Sequence, residues 1–163
     1  MIREFRGEFS FLSNFHSDMR PIELEGVTYP TVEHAYQATK TLNRTHRMKI
    51  ARAASPAIAK RMGGKNGHDG FKIELRPDWD RVKIETMAKC LARKFEQPAL
   101  KAKLLATGDL YLMEGNWYGD EFWGWSFKTN AGLNMLGRCL MALRNHLFAL
   151  EELKEECIEN VKC

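Results

Sequence analysis

Six leucines, Leu133, Leu136, Leu140, Leu143, Leu147 and Leu150, recur at alternating steps of three and four near the end of the chain. On a helix of about 3.6 residues per turn such steps return to one face, so the spacing predicts a long helix from residue 131 past residue 150 with an apolar stripe to bury. That helix is the expected centre of the core. Its continuation, EELKEECIENVKC, is charged, and a fraying tail is expected over residues 154–163. A chain of 163 residues, 44% of them hydrophobic, can bury such a core without a metal or disulfide staple, so one domain over 1–153 is expected.

Upstream the punctuation is mostly helical. PIELEGVTYP, residues 21–30, alternates in polarity around Glu25-Gly26, which predicts a short hairpin whose glycine supplies the positive φ of a tight turn. Thr31 then offers a hydroxyl cap to a helix over about 31–41, with Glu33 in the first turn where the helix dipole favours negative charge. Further helices are predicted over about 44–54, from Ser55-Pro56 to Gly63, from Asp78 with a stripe of Ile84, Met87, Ala88, Leu91 and Phe95, and over 98–107. GGKNGHDGFK reads as a flexible loop, because its glycines lack the strand-then-helix context of a nucleotide-binding motif. LYLME, residues 110–114, can form a short strand, whereas NWYGDEFWGWSFKTN is too irregular for regular structure. The class expected is α-rich α+β: a single domain with an orthogonal helix cluster around the long C-terminal core helix and a small antiparallel hairpin.

Three stretches carry residues that could do chemistry. Glu33, Tyr36, Gln37 and Lys40 share one face of the first predicted helix, which is either a solvated polar stripe or a catalytic one. In GNWYGDEFWGW, Asp120 lies among Trp117, Tyr118, Trp123 and Trp125, with Glu114 upstream. Aromatic faces stack on a base or sugar, and an apolar wall raises a carboxyl pKa; the alternative is that these rings cover the core. In FSFLSNF, Ser13 and Asn14 interrupt an aromatic run ending at Phe15, as a turn or a ligand edge.

Composition narrows the partners. Twenty-five basic against 21 acidic residues give a net charge of +4, compatible with a phosphate-bearing ligand but far from a surface that coats nucleic acid. Cys90, Cys139, Cys157 and Cys163 form no C-x-x-C pair and the five histidines show no ligand spacing, so no metal or other cofactor is expected. With no apolar run near the ~20 residues that span a bilayer and no signal-peptide core, a cytoplasmic, thiol-reduced protein is expected. No membrane or obligate protein partner is implied.

Taken in order, FSFLSNF, GVTYPTVEHAYQATK, ASPAIAKRMG, RPDWDRVK, LARKF, LLATGD, DEFWG and GLNMLGRCLM resemble the NADAR (YbiA-like) family over nearly the whole chain. The resemblance implies hydrolysis of a ribose C1′–N bond. The substrate is either a 5′-phosphorylated ribosylamino-pyrimidine of riboflavin synthesis or ADP-ribose attached to guanine, including guanine in nucleic acid. It puts the catalytic glutamate at Glu33, an active-site pair at Asp120 and Trp123, a further family tryptophan at Trp79, and the motif opening the last helix at Asn134 and Gly137. Leu133 stands where some relatives carry lysine, and the stretch Gly63 to Gly70 is longer than in compact members.

The expected division of labour follows from an oxocarbenium-like transition state: Glu33 moves the proton while Asp120 supports developing charge or positions water. Trp123 and Trp79 stack on base or ribose, and Lys40 meets phosphate. Asn14, Phe15, Tyr36, Glu114 and Asn134 complete the expected substrate contacts. The competing reading is a module that binds ADP-ribose or a nucleotide without cutting it; the pairing of Glu33 with Asp120 favours the enzyme, because carboxylates near a phosphate help binding little.

Overall fold

The computed structural model describes residues 1–161, with side chains through Cys157. The chain is α-rich α+β, and it packs as two compact units, residues 6–97 and residues 1–5 with 98–163.

In the first unit a 3-10 turn, Gly7–Leu12, precedes the hairpin β1 (Ile22–Leu24) and β2 (Val27–Tyr29). The strands are antiparallel, with Ile22, Leu24, Val27 and Tyr29 buried and Glu23 and Thr28 exposed. Both turn residues have positive φ, +51° at Glu25 and +71° at Gly26, so the turn has the twist-compatible geometry of tight hairpins and glutamate shares the strain expected of the glycine alone. The Glu25 carboxylate in turn receives Arg47.

Thr31 caps α1 (Val32–Ala38), its hydroxyl accepting the His34 N–H at 3.3 Å. The helix is shorter than expected: the Thr39 hydroxyl donates back to the Tyr36 carbonyl at 2.8 Å, and the Lys40 and Thr41 amides make i−3 bonds of a tighter turn. All seven α1 residues are buried. They pack against α2 (Arg44–Ala51), α3 (Pro56–Met62), α4 (Trp79–Phe95) and both strands, so α1 is the hub of this unit. Residues 52–54 leave α2 early, placing the Ala53 carbonyl 3.1 Å from the His34 ring. Ser55 caps α3 through the Ile58 amide at 3.2 Å, as its sequence predicts.

Two expectations need correction here. Asp78 heads α4 without capping it, because both its oxygens are taken by the Arg76 guanidinium at 2.6 and 2.9 Å. The buried stripe of α4 runs through Thr86, Met87, Cys90, Leu91, Lys94 and Phe95, leaving Ile84 and Ala88 exposed. The glycine-rich loop contains a His68–Phe71 bridge, and the Phe71 ring makes a T-shaped contact with His46.

In the second unit, α5 (Pro98–Leu105) is followed by Gly108 at φ +51°. The stretch 110–114 makes only a single bridge, Ile2 with Leu112, rather than a strand. Regular pairing instead falls where none was expected, between β3 (Gly115–Asn116) and β4 (Trp125–Ser126), which are parallel. The last helix, α6 (Met135–Val161), begins four residues later than its leucine pattern suggests because Ala131 bridges to Ser126 and Asn134 turns at φ +50°. Leu136 and Leu140 are fully buried, Leu143 and Leu147 partly, while Leu133 precedes the helix and is exposed, as is Leu150. Helix continues through the charged extension; residues 162 and 163 of the expected tail, and with them Cys163, lie outside the described residues. No described helix is long and apolar enough to cross a membrane.

Candidate active site

Glu33 enters the first turn of α1 because Thr31 stops the strand and caps the helix. The residue is 5% exposed. Its backbone N–H donates to the Asn14 carbonyl at 3.0 Å, and its carboxylate Oε1 accepts from the Gln37 side-chain amide at 2.8 Å. Burial of this whole helix removes the solvated-stripe alternative: the polar face is interior, where polar groups must be partnered or functional.

One turn on, Tyr36 meets Trp79 of α4 with ring centroids 5.2 Å apart and planes tilted by 54°. The Lys40 ammonium lies 5.6 Å from the Tyr36 ring centre and 5.9 Å from that of Trp79, and donates to the Gly63 carbonyl at 3.3 Å. Burial pulls the Lys40 pKa down; the negative charge of Glu33 opposes this and the positive charge of Lys60 adds to it. Lys60 itself sits 5.7 Å from the centre of the Phe15 ring. Next to Glu33, His34 is pushed down by burial, against the raising effect of its bond to the Ala53 carbonyl. A carbonyl only accepts, so Nε2 carries the proton and Nδ1 accepts from the Thr31 hydroxyl at 2.8 Å. Behind this face Cys90 is raised to about 12, first by burial and then by Glu25 and Glu33, which makes it an inert core thiol.

The first unit thus brings together Asn14, Phe15, Glu33, Tyr36, Lys40 and Trp79 of the expected residues. It adds Lys60, which no expectation assigned to the site, and gives Gln37, expected only as a member of the polar face of this helix, a direct bond to Glu33. Gln37 was detectable from its four-residue spacing to Glu33; Lys60 had no local signal, since its place depends on how α3 packs on α1.

The second unit holds Glu114, Asp120, Trp123 and Asn134. Asp120 Oδ1 accepts the amides of Phe122 and Trp123 at 3.1 and 2.9 Å, closing a turn that fixes its carboxylate. Asn116 braces the same loop, accepting from the Gly119 and Asp120 amides and donating to the Asp120 and Trp125 carbonyls. Asn134 accepts the Glu114 amide at 2.9 Å and donates to the Leu112 carbonyl at 2.8 Å. Its positive φ suits asparagine, so Asn134 acts here as a backbone clamp at the head of α6. Gly137 completes that clamp: a Cβ there would lie 2.1 Å from the Leu112 carbonyl oxygen. Trp117 and Tyr118 are 66% and 64% exposed, so they do not cover the core, while Trp123 and Trp125 are half-buried. Among the described residues no three His, Cys, Asp or Glu side chains converge to hold a metal ion.

A NADAR domain profile matches residues 3–148. The N-glycosidase YbiA of Escherichia coli (strain K12) is 42% identical over 141 residues, covering 86% of this chain and 82% of the relative. A protein of Zea mays named riboflavin biosynthesis protein PYRR, chloroplastic, is 38% identical over 149 residues, 85% of this chain but only 23% of that longer protein. The NMR structure of Escherichia coli YbiA superposes with a TM-score of 0.75 at 40% identity, covering 93% of this chain and 85% of the other.

Proposed function

The chain belongs to the NADAR domain family, it is a hydrolase acting on N-glycosyl bonds, and on that premise we propose that Glu33 is its proton-transfer group. The observation that carries this reading is a carboxylate 5% exposed in the first turn of a wholly buried helix, one turn from a Tyr36–Trp79 pair and the Lys40 ammonium. A buried carboxylate, an aromatic face and a cation are what a phosphorylated ribosyl base requires of a site.

The bond cleaved joins C1′ of a phosphorylated ribose to a base nitrogen. Water adds across it, its oxygen to C1′ and a proton to the departing nitrogen, through a state with positive charge on the sugar. Glu33 moves the proton, either from the water or to the base. Asp120, oriented by the Phe122 and Trp123 amides, stabilises the developing charge or positions the water. In the first unit Trp79 stacks on base or ribose, Lys40 meets phosphate, and Asn14, Phe15 and Tyr36 are the further candidate contacts; in the second, Trp123 is the candidate stacking residue, with Glu114 and Asn134 beside it in that unit. No cofactor has a step in this scheme.

Two substrates fit the scheme: a ribosylamino-pyrimidine 5′-phosphate, which the maize relative's name favours, and ADP-ribose on guanine. A cytoplasmic setting accords with the free thiols of Cys90, Cys139 and Cys157. The test is incubation of wild type and Glu33→Gln with each substrate, reading released base and sugar phosphate. Glu33→Gln keeps side-chain volume and loses the titrating group, so turnover is expected to fall by roughly two to four orders of magnitude with folding unchanged. Near-wild-type turnover in the variant removes Glu33 from the mechanism. Binding of ADP-ribose with no cleavage of either substrate makes the protein a binding module instead.

A further inference from the structure

We propose that Gln37 is a positioning residue for the Glu33 carboxylate, and that the bare backbone of Gly63 is what keeps Gln37 in register. The proposal rests on Glu33 being the proton-transfer group. Gln37 lies one helical turn beyond Glu33, and its Nε2 donates to Glu33 Oε1 at 2.8 Å. The amide must present nitrogen to an ionised carboxylate, since its oxygen there would set two acceptors face to face. Gln37 is 4% exposed and its own Oε1 is buried without a hydrogen-bond partner among the described residues. Burying an amide with one atom unsatisfied is unfavourable, so packing alone is a poor reason to place glutamine here.

What tolerates it is Gly63, at the end of α3. A Cβ on Gly63 would fall 2.3 Å from Gln37 Oε1 and 2.8 Å from Gln37 Cβ, so any side chain at 63 displaces the amide. The backbone of Gly63 has φ −83°, which any residue adopts. The glycine is therefore required for space and not for conformation, and the space it leaves is filled by Gln37. The same residue's carbonyl receives the Lys40 ammonium at 3.3 Å, so one backbone position sets two side chains of the α1 face. Donating to the ionised form favours it, and fixing Oε1 leaves Glu33 one defined orientation toward its substrate.

The test is a carboxyl NMR titration of Glu33 in protein labelled at glutamate side-chain carbons, with Glu33→Gln used to assign the signal. In Gln37→Met, which matches glutamine in length and lacks the donor, Glu33 is expected to titrate about one pH unit higher than in wild type. Gly63→Ala, which leaves both side chains chemically intact, is expected to move it in the same direction and serves if Gln37→Met does not fold. On whichever substrate the wild type cleaves, kcat should drop about 10- to 100-fold with KM within about threefold, and the acidic limb of kcat should move with the NMR titration. An unchanged Glu33 titration in a folded Gln37→Met overturns the positioning role. If Glu33→Gln is inactive while Gln37→Met keeps wild-type kcat, positioning alone is overturned; if Glu33→Gln stays active, the assignment of Glu33 fails and the proposal with it.

Discussion

At the scale of single residues, the helix that carries Glu33 is tied down by its neighbour in sequence. His34 follows Glu33 directly, and its ring ties the start of α1 to the chain after α2 through Thr31 and the Ala53 carbonyl. Burial holds its folded pKa below the ordinary 6.5. The unfolded chain then binds a proton that the folded chain refuses, so this stability is complete above about pH 6.5 and is lost as pH falls toward the folded value. Urea unfolding between pH 7.5 and 5.5 should show the loss, and His34→Gln should flatten it in that window. An equally steep pH dependence in His34→Gln would assign the effect elsewhere. The residue types at 33, 34 and 37 are legible in sequence, as is their sharing of one helix. Whether their face meets water or protein was not, because a lone helix of polar, apolar and aromatic residues satisfies both readings until its neighbours are placed.

At the scale of elements, caps were read well where the capping side chain had no rival. Ser55 and Thr31 bond the amides that their positions dictate, at 3.2 and 3.3 Å. Asp78 does not, because Arg76, two residues away, offers a bidentate and charged partner. Ser55→Ala is therefore expected to cost about 1 kcal/mol in the urea midpoint-derived stability. A loss below about 0.3 kcal/mol would mean that Pro56 alone fixes the start of α3. The missed strands β3 and β4 illustrate the opposite case: two-residue pairings leave no periodicity to read, and they form because loop residues such as Asn116 are pinned from both sides.

At the scale of the whole molecule, the chain's first residues belong with its last. Ile2 donates to the Tyr111 carbonyl and accepts from Met113, Arg3 accepts from Gly115, and Ile2 and Phe5 are buried. We propose that the folding unit is residues 1–153 with 154–163 an appendage, since the described side chains of residues 154–157 are exposed. Removing residues 154–163 should leave turnover unchanged and shift stability by less than about 0.5 kcal/mol. Removing residues 1–5 deletes three backbone bonds and two buried apolar side chains, and should cost several kcal/mol, roughly 3–5, in the same denaturation assay. Equal effects of the two deletions would refute this boundary.

The helical class, the hairpin and its turn, two of the caps and the family are legible from the sequence alone, because each of these is written in contiguous residues a few positions apart. Packing settles the rest: α1 is buried on every side, Lys40 sits beside both aromatic rings, Asn134 clamps the head of α6, and Gly63 makes room for Gln37. The last three depend on residues 20 to 39 positions apart meeting in space, and local propensity carries no information about such meetings. They are fixed by which surfaces exclude water together.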